Sequence, residues 1–152
     1  MISSELRELY QELILDHSQK PRNAHTLPHA NHTAEGFNPL CGDKLKLYLE
    51  IDKDVIKDIG FEGNGCAIFK ASASMMTANV KGKAVSEARA LFGEFHKMLS
   101  SKEGKQFNEA KLGKLSIFSG VSEFPVRVKC ATLPWHTLNA GLEANGKVVS
   151  TE

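Results

Sequence analysis

Between Lys44 and Ile51 the residues Leu45, Leu47, Leu49 and Ile51 alternate with Lys44, Lys46, Tyr48 and Glu50, the period of a half-buried strand. Asp52-Lys53-Asp54 makes a turn. Val55 to Glu62 then carries Val55, Ile59 and Phe61 at one parity, so an antiparallel hairpin is the simplest pairing. Upstream, Leu6, Leu9, Tyr10, Leu13 and Ile14 recur at spacings of three and four, which predicts an amphipathic helix over Ser4 to His17. Ser18 to Asn38 holds Pro21, Pro28 and the histidines His25, His29 and His32. It reads as a long, mobile connection with one strand near Thr33 to Phe37.

Gly60, Gly63 and Gly65 close the hairpin, and the small residues from Cys66 to Met76 predict a tightly packed helix running on to Val80. Ser86 is placed to cap another helix whose buried face is Val85, Ala88, Leu91, Phe92, Phe95 and Leu99. A further helix is expected from Phe107 to Ile117. Pro125 interrupts the chain, and a final helix beginning near Cys130 takes Pro134 in its first turn and buries Leu133, Trp135, Leu138 and Leu142. Past Gly146 the end is expected to fray. Strands early and helices late predict an α+β fold, with a small antiparallel sheet of about three strands packed against several helices. The chain reads as one domain over residues 1–152.

The balance of 19 Lys+Arg against 18 Asp+Glu leaves a formal charge of +1, which supplies no concentrated basic face for nucleic acid or an anionic membrane. No apolar stretch reaches the roughly 20 residues of a membrane span, and Glu5 and Glu8 lie where a signal peptide would be apolar. A cytoplasmic location is expected. Three cysteines, Cys41, Cys66 and Cys130, cannot all pair within one chain, which moves the reading from disulfides towards metal or thiol chemistry.

Each cysteine has two readings on its own. Cys41 and Asp43 bracket Gly42 just before a strand, so thiolate and carboxylate can turn to one cation, or the segment is a plain turn with a small buried Cys. Cys66 follows Gly63-Asn64-Gly65 and opens a helix, where backbone N–H groups favour a thiolate; the alternative is simple packing. Cys130, at an expected helix start with Arg127 and Lys129 nearby, repeats that setting. Those two cations are also consistent with ordinary solvated charges. Together Cys41, Asp43, Cys66 and Cys130 supply one possible tetrahedral S3O set suited to Zn2+ or iron, although no CxxC pair is present and their spacing alone is no evidence for a shared site. The six histidines are expected at surface or satisfied core positions, and Met75 and Met76 in the core.

Three ordered segments carry a resemblance: Asn38-Pro39-Leu40-Cys41-Gly42-Asp43, Gly63 to Met76 around Cys66, and Arg127-Val128-Lys129-Cys130-Ala131-Thr132-Leu133-Pro134-Trp135. With Leu9-Tyr10 and Ile14-Leu15-Asp16-His17 they extend over essentially the whole chain, which resembles the IscU/NifU-like iron–sulfur assembly family and, within it, the SufU branch. The resemblance implies an α+β fold with the three cysteines at one exposed end. It also implies that Cys41, Asp43, Cys66 and Cys130 bind zinc in the SufU branch, or a transient [2Fe-2S] cluster, with Asp43 nearby, in the scaffold branch. On the scaffold reading, Asp43→Ala stabilises a bound cluster. Two departures separate this chain from the scaffold branch. Lys129 stands where that branch has His, and Glu123-Phe124-Pro125-Val126-Arg127 replaces its Leu-Pro-Pro-Val-Lys stretch.

The implied activity is that of a zinc-dependent sulfurtransferase. Cys41 accepts persulfide sulfur from a pyridoxal-phosphate cysteine desulfurase of the SufS type, a desulfurase His taking its place on zinc, and the sulfur passes to a downstream cluster scaffold. Arg127 and Lys129 are candidates for support by charge. The rivals are a [2Fe-2S] scaffold and, from another class, a non-catalytic zinc-stabilised interaction module.

Overall fold

The alternation that opens the sequence is realised in a strand, β2, at Asp43–Asp52, where Leu45, Leu47 and Leu49 are buried and Lys44 and Lys46 face solvent. The structure, a computed structural model, describes residues 4–100, 108–143 and 147–150. In order its elements are α1 (Ser4–Gln19), β1 (His32–Asn38), β2, β3 (Val55–Asn64), α2 (Ala67–Val80), α3 (Val85–Ser100), α4 (Glu109–Leu112), a 3-10 segment (Gly113–Glu123), α5 (Pro125–Glu143) and β4 (Lys147–Ser150).

Strands β1, β2 and β3 form the expected antiparallel meander, and β4 adds a short parallel strand on the other side of β1, giving the order β3-β2-β1-β4. That fourth strand was not expected. Its partner β1 lies more than a hundred residues upstream, so no local pattern announces the pairing. The β2–β3 turn places Lys53 and Asp54 at φ values of 49° and 61°, the left-handed pair that matches the twist of a two-residue hairpin. A register shift at Glu50/Ile51 then changes the parity of β3. Ile56 and Ile59 both reach the core, while Val55, expected to share the face of Ile59, is only half-buried.

Helices α2 and α5 lie against the sheet, with α1 on α2 and α3 on α5. Helix α5 comes so close to β1 that a Cβ on Gly36 would fall 2.1 Å from Thr137 Oγ1. The core includes Phe69, Met75, Met76, Phe95, Phe118, Trp135 and Leu138; Trp135 stacks on Phe95 at 4.6 Å between centroids, and Phe118 meets Phe95 edge-on. Met75 and Met76 are packing residues, as expected. The connection after α1 is held, not loose. Asn23 O accepts from Phe61 N, and Asn31 bonds the Leu49 and Ile51 backbone.

Three helix boundaries differ from expectation. Helix α3 starts at Val85, its first bond running from Ala88 N to Ala84 O, so Ser86 is inside the first turn and is not the cap. The helix expected over Phe107 to Ile117 is a single turn capped by the Asn108 side chain, after which Gly113 at φ 55° turns the chain into the 3-10 segment. Phe107 and Gly146 lie outside the described residues. Helix α5 begins at Pro125, a favoured first position because a missing N–H costs nothing there, and Pro134 sits well inside it. Among the described residues no helix is long and apolar enough to cross a membrane.

Candidate metal centre

Strand parity continues through the hairpin that joins β1 to β2. Asn38 ends β1 and pairs with Asp43, the first residue of β2; both share the core-facing parity of Leu45 and Leu47, and both are buried, at 1% and 0% exposure. The loop between them carries Cys41. It is closed by Gly42 N donating to Asn38 O at 2.8 Å and by Leu40 N donating to Asn38 Oδ1 at 3.2 Å, with Gly42 at φ 75°.

A second loop brings Cys66. Its sulfur caps α2 and accepts from Phe69 N at 3.5 Å, as the expected helix-start position requires, while its own backbone N–H donates to Asp43 Oδ1 at 3.0 Å. The loop needs glycine for space. A Cβ on Gly65 would lie 2.3 Å from Asp43 Oδ1 and 2.8 Å from Phe69 Cδ2.

Helix α5 supplies Cys130, fully buried, whose thiol contacts Cys41 Sγ at 3.3 Å and Val126 O at 3.7 Å and accepts from Asn38 Nδ2 at 3.8 Å. The helix-start electrostatics expected for Cys130 do not apply. Val128 N already bonds Phe124 O, so Cys130 lies beyond the first turn, where the end charge has faded. Burial first, then the neighbouring Cys41 and Asp43 side chains and the charge of Cys66, push its thiol pKa far up. A thiolate there requires a cation. Arg127 is exposed, and the neighbouring Cys130 sulfur, followed by the charge of Cys66, raises its pKa further. Lys129 is half-buried on the same helix.

Ligand atoms of Cys41, Asp43 and Cys130 lie within 4.8 Å of one another. Cys66 stands just outside this trio, tied to it by its bond to Asp43 and its effect on Cys130. The donor set fits a metal on a separate observation: Asp43 Oδ2 is buried and has no hydrogen-bond partner, a costly condition that a bound cation would relieve. Two sulfurs and a carboxylate, with a third sulfur adjacent, suit Zn2+ or iron better than Mg2+ or Ca2+. Among the described residues no histidine joins the group. His17, His25, His32 and His96 bond Ser74, Thr26 O, Gly141 O and Ser100 respectively.

The family described as NifU-like N terminal domain matches residues 9–132. The chain belongs to that family. It is 40% identical over 141 residues, 92% of this chain and 93% of the other, to a protein of Bacillus subtilis named zinc-dependent sulfurtransferase SufU. It is also 40% identical to a Streptococcus pyogenes protein named iron–sulfur cluster assembly scaffold protein IscU, covering 94% of this chain and 88% of that one. Among solved structures it resembles one from Fervidobacterium islandicum, described as a putative iron–sulfur cluster assembly scaffold protein for the SUF system. The TM-score is 0.83 at 38% identity, covering 93% of this chain and all of that one. This NifU-like chain is thus an iron–sulfur cluster assembly protein of the SufU and IscU type, and its α+β fold is the one its resemblance implies.

Asn38 is the residue whose contribution the sequence reading passed over. It was visible only as the first letter of a motif, yet its side chain bridges the Cys41 loop and Cys130. The available signal was parity: continuing the Leu45–Leu47 alternation back to Asp43 faces it inward, and a short hairpin then faces Asn38 inward too.

Proposed function

We propose that this protein is a zinc-dependent acceptor of persulfide sulfur, taking it from a cysteine desulfurase at Cys41 and passing it on to cluster assembly. The observation that carries the reading is Cys41 itself. The residue is half-buried, with its sulfur 3.3 Å from that of the buried Cys130, on a hairpin loop whose next residue but one offers an unpartnered carboxylate oxygen. Zinc bound by Cys41, Asp43, Cys66 and Cys130 would keep the thiols deprotonated at neutral pH.

In the transfer step the Cys41 thiolate attacks the terminal sulfur of the partner's Cys–S–S⁻ group. The S–S bond of the partner breaks as that of Cys41 forms, and the partner's cysteine leaves as a thiolate, so no external oxidant or reductant is consumed. Apolar surface around the sulfurs supports docking of such a partner: Leu40 beside Cys41, and Phe124 and Val126 at the start of α5, are 67%, 59% and 55% exposed. Arg127, on the same turn, adds a positive charge that favours the approach of an anionic persulfide. Lys129 is assigned the same role by sequence position alone. A cytoplasmic desulfurase of the SufS type fits this reading.

The test is metal content on anaerobically purified protein, followed by alanine production by a cognate desulfurase with wild-type and Cys41→Ala protein. Stoichiometric zinc and stimulation that disappears in Cys41→Ala support sulfur transfer. A stable iron–sulfur chromophore without stimulation overturns it in favour of a [2Fe-2S] scaffold, the reading favoured by the equal identity to the streptococcal relative. Zinc with unaltered partner activity in Cys41→Ala would leave a zinc-stabilised interaction module.

A further inference from the structure

The Asn38 side chain touches both the Cys41 loop and the Cys130 sulfur. Its Oδ1 holds Leu40 N at 3.2 Å, its backbone carbonyl holds Gly42 N at 2.8 Å, and its Nδ2 donates to Cys130 Sγ at 3.8 Å. Among the described residues, Cys130 is the hydrogen-bond partner of that amide nitrogen. At 1% exposure the amide has no ready access to water in exchange.

We propose that Asn38 is a positioning residue that decides which sulfur stays on the metal: its amide anchors the Cys130 thiolate through an N–H···S bond, leaving Cys41 as the ligand free to depart. The proposal rests on the metal-thiolate reading above and extends it to the division of labour between the two sulfurs.

The physical basis is an asymmetry of donors. A neutral thiol is a weak acceptor, whereas a metal-bound thiolate carries charge, and hydrogen bonds to charged groups are roughly twice as strong as neutral ones. The Asn38 amide is therefore better satisfied once Cys130 is a ligand. Among the described residues, no amide supports the Cys41 sulfur in this way. That sulfur meets the S–H of Cys130, a proton that would be gone with both sulfurs on a cation. Cys130 is also fully buried on a helix, while Cys41 is half-buried on a hairpin loop. A hydrogen-bonded, buried ligand on a rigid element and an unsupported one on a loop are unequal in their freedom to leave.

The deciding experiment uses wild-type protein loaded with 113Cd and labelled with 15N. The Asn38 side-chain amide proton is expected to shift downfield on cadmium binding and to show scalar coupling to the metal through the sulfur, a signal that a purely structural role does not produce. An amide with neither shift nor coupling, in protein whose near-ultraviolet sulfur-to-cadmium band shows that the thiolates are bound, overturns the proposal. Absence of that band overturns the metal-thiolate reading itself, so the two failures are distinct.

A second measurement follows alkylation of the zinc-loaded protein by mass spectrometry, with circular dichroism to confirm folding. Cys41 is expected to react before Cys130. Asn38→Asp keeps an acceptor for Leu40 N but removes the donor to sulfur, and is expected to narrow the difference about tenfold, the worth of one hydrogen bond to a charged group. Unchanged order and rates in folded Asn38→Asp would overturn the proposal.

Discussion

Cys66 and Asp43 are joined by a hydrogen bond in which the Cys66 backbone N–H donates to Asp43 Oδ1 at 3.0 Å, so one buried carboxylate ties the start of α2 to the start of β2. The other oxygen, Oδ2, is buried without a hydrogen-bond partner. Asp43 therefore has two separable roles. Asp43→Asn keeps an acceptor for Cys66 N but loses the anionic charge: metal-free stability in urea is expected to stay near wild type while zinc affinity falls at least about tenfold. Asp43→Ala leaves the Cys66 amide unpaired as well and is expected to cost about 1–3 kcal/mol in the same unfolding experiment. Equal metal affinity in Asp43→Asn and wild type, read by chelator competition, would remove Asp43 from the site.

Gly65 is required for space. With Asp43 Oδ1 at 2.3 Å and Phe69 Cδ2 at 2.8 Å from where a Cβ would stand, Gly65→Ala must displace either the carboxylate or a core ring. The expected result is a loss of about 1–3 kcal/mol in metal-free protein, together with weaker zinc binding. If Gly65→Ala matched wild type in both measurements, the Asp43–Gly65 approach would be wrong.

Stability should fall in mild acid. Ser74 Oγ accepts from Arg22 N at 2.8 Å and is hydrogen-bonded with His17 Nδ1 at 2.7 Å, in a buried pair that holds the His17 ring between α1 and α2. Burial first, then the charge of Arg22 and more weakly Lys114, lowers its pKa against the opposing effect of Asp16. His136 is lowered in the same direction by burial and by His96. With folded values below the unfolded value of 6.5, the unfolded chain binds more protons, so stability is flat above that pH and declines as pH drops through it towards the folded values. Urea midpoints at pH values of about 5.5 and 7.5 measure the slope. His17→Gln is expected to reduce it, and an unchanged slope would exclude His17 as a contributor.

Removing metal should loosen the whole fold, because the centre joins the β1–β2 hairpin, the start of α2 and helix α5. A ligand that binds only the folded state at one hundred times its Kd adds about 2.7 kcal/mol. Chelation is therefore expected to lower Tm by several degrees and zinc to restore it. A Tm indifferent to zinc would contradict a resident structural metal.

Much of the framework was legible because it is local. The β2 alternation, the stripe on α1 and the small-residue run of α2 are properties of neighbours in sequence, and each element formed where its pattern lay. The misplaced features have nonlocal causes. The Glu50/Ile51 register shift belongs to a pairing between strands and moved Val55 out of line with Ile59. Pro134 sits inside α5 because the helix begins earlier, at Pro125. Strand β4 is set by its pairing with β1, far away along the chain.

The candidate site divides in the same way. The sequence by itself singled out the four residues proposed to hold the metal, Cys41, Asp43, Cys66 and Cys130, through three ordered motifs, because residue type alone sets donor softness. Only the tertiary structure decided that Cys41 and Cys130, eighty-nine residues apart, meet at 3.3 Å, that Asp43 keeps a buried oxygen without a partner, and that Asn38 reaches the Cys130 sulfur. Those contacts are made by packing α5 across the sheet, and the distance between two side chains so far apart along the chain is set by that packing and by no pattern of neighbours.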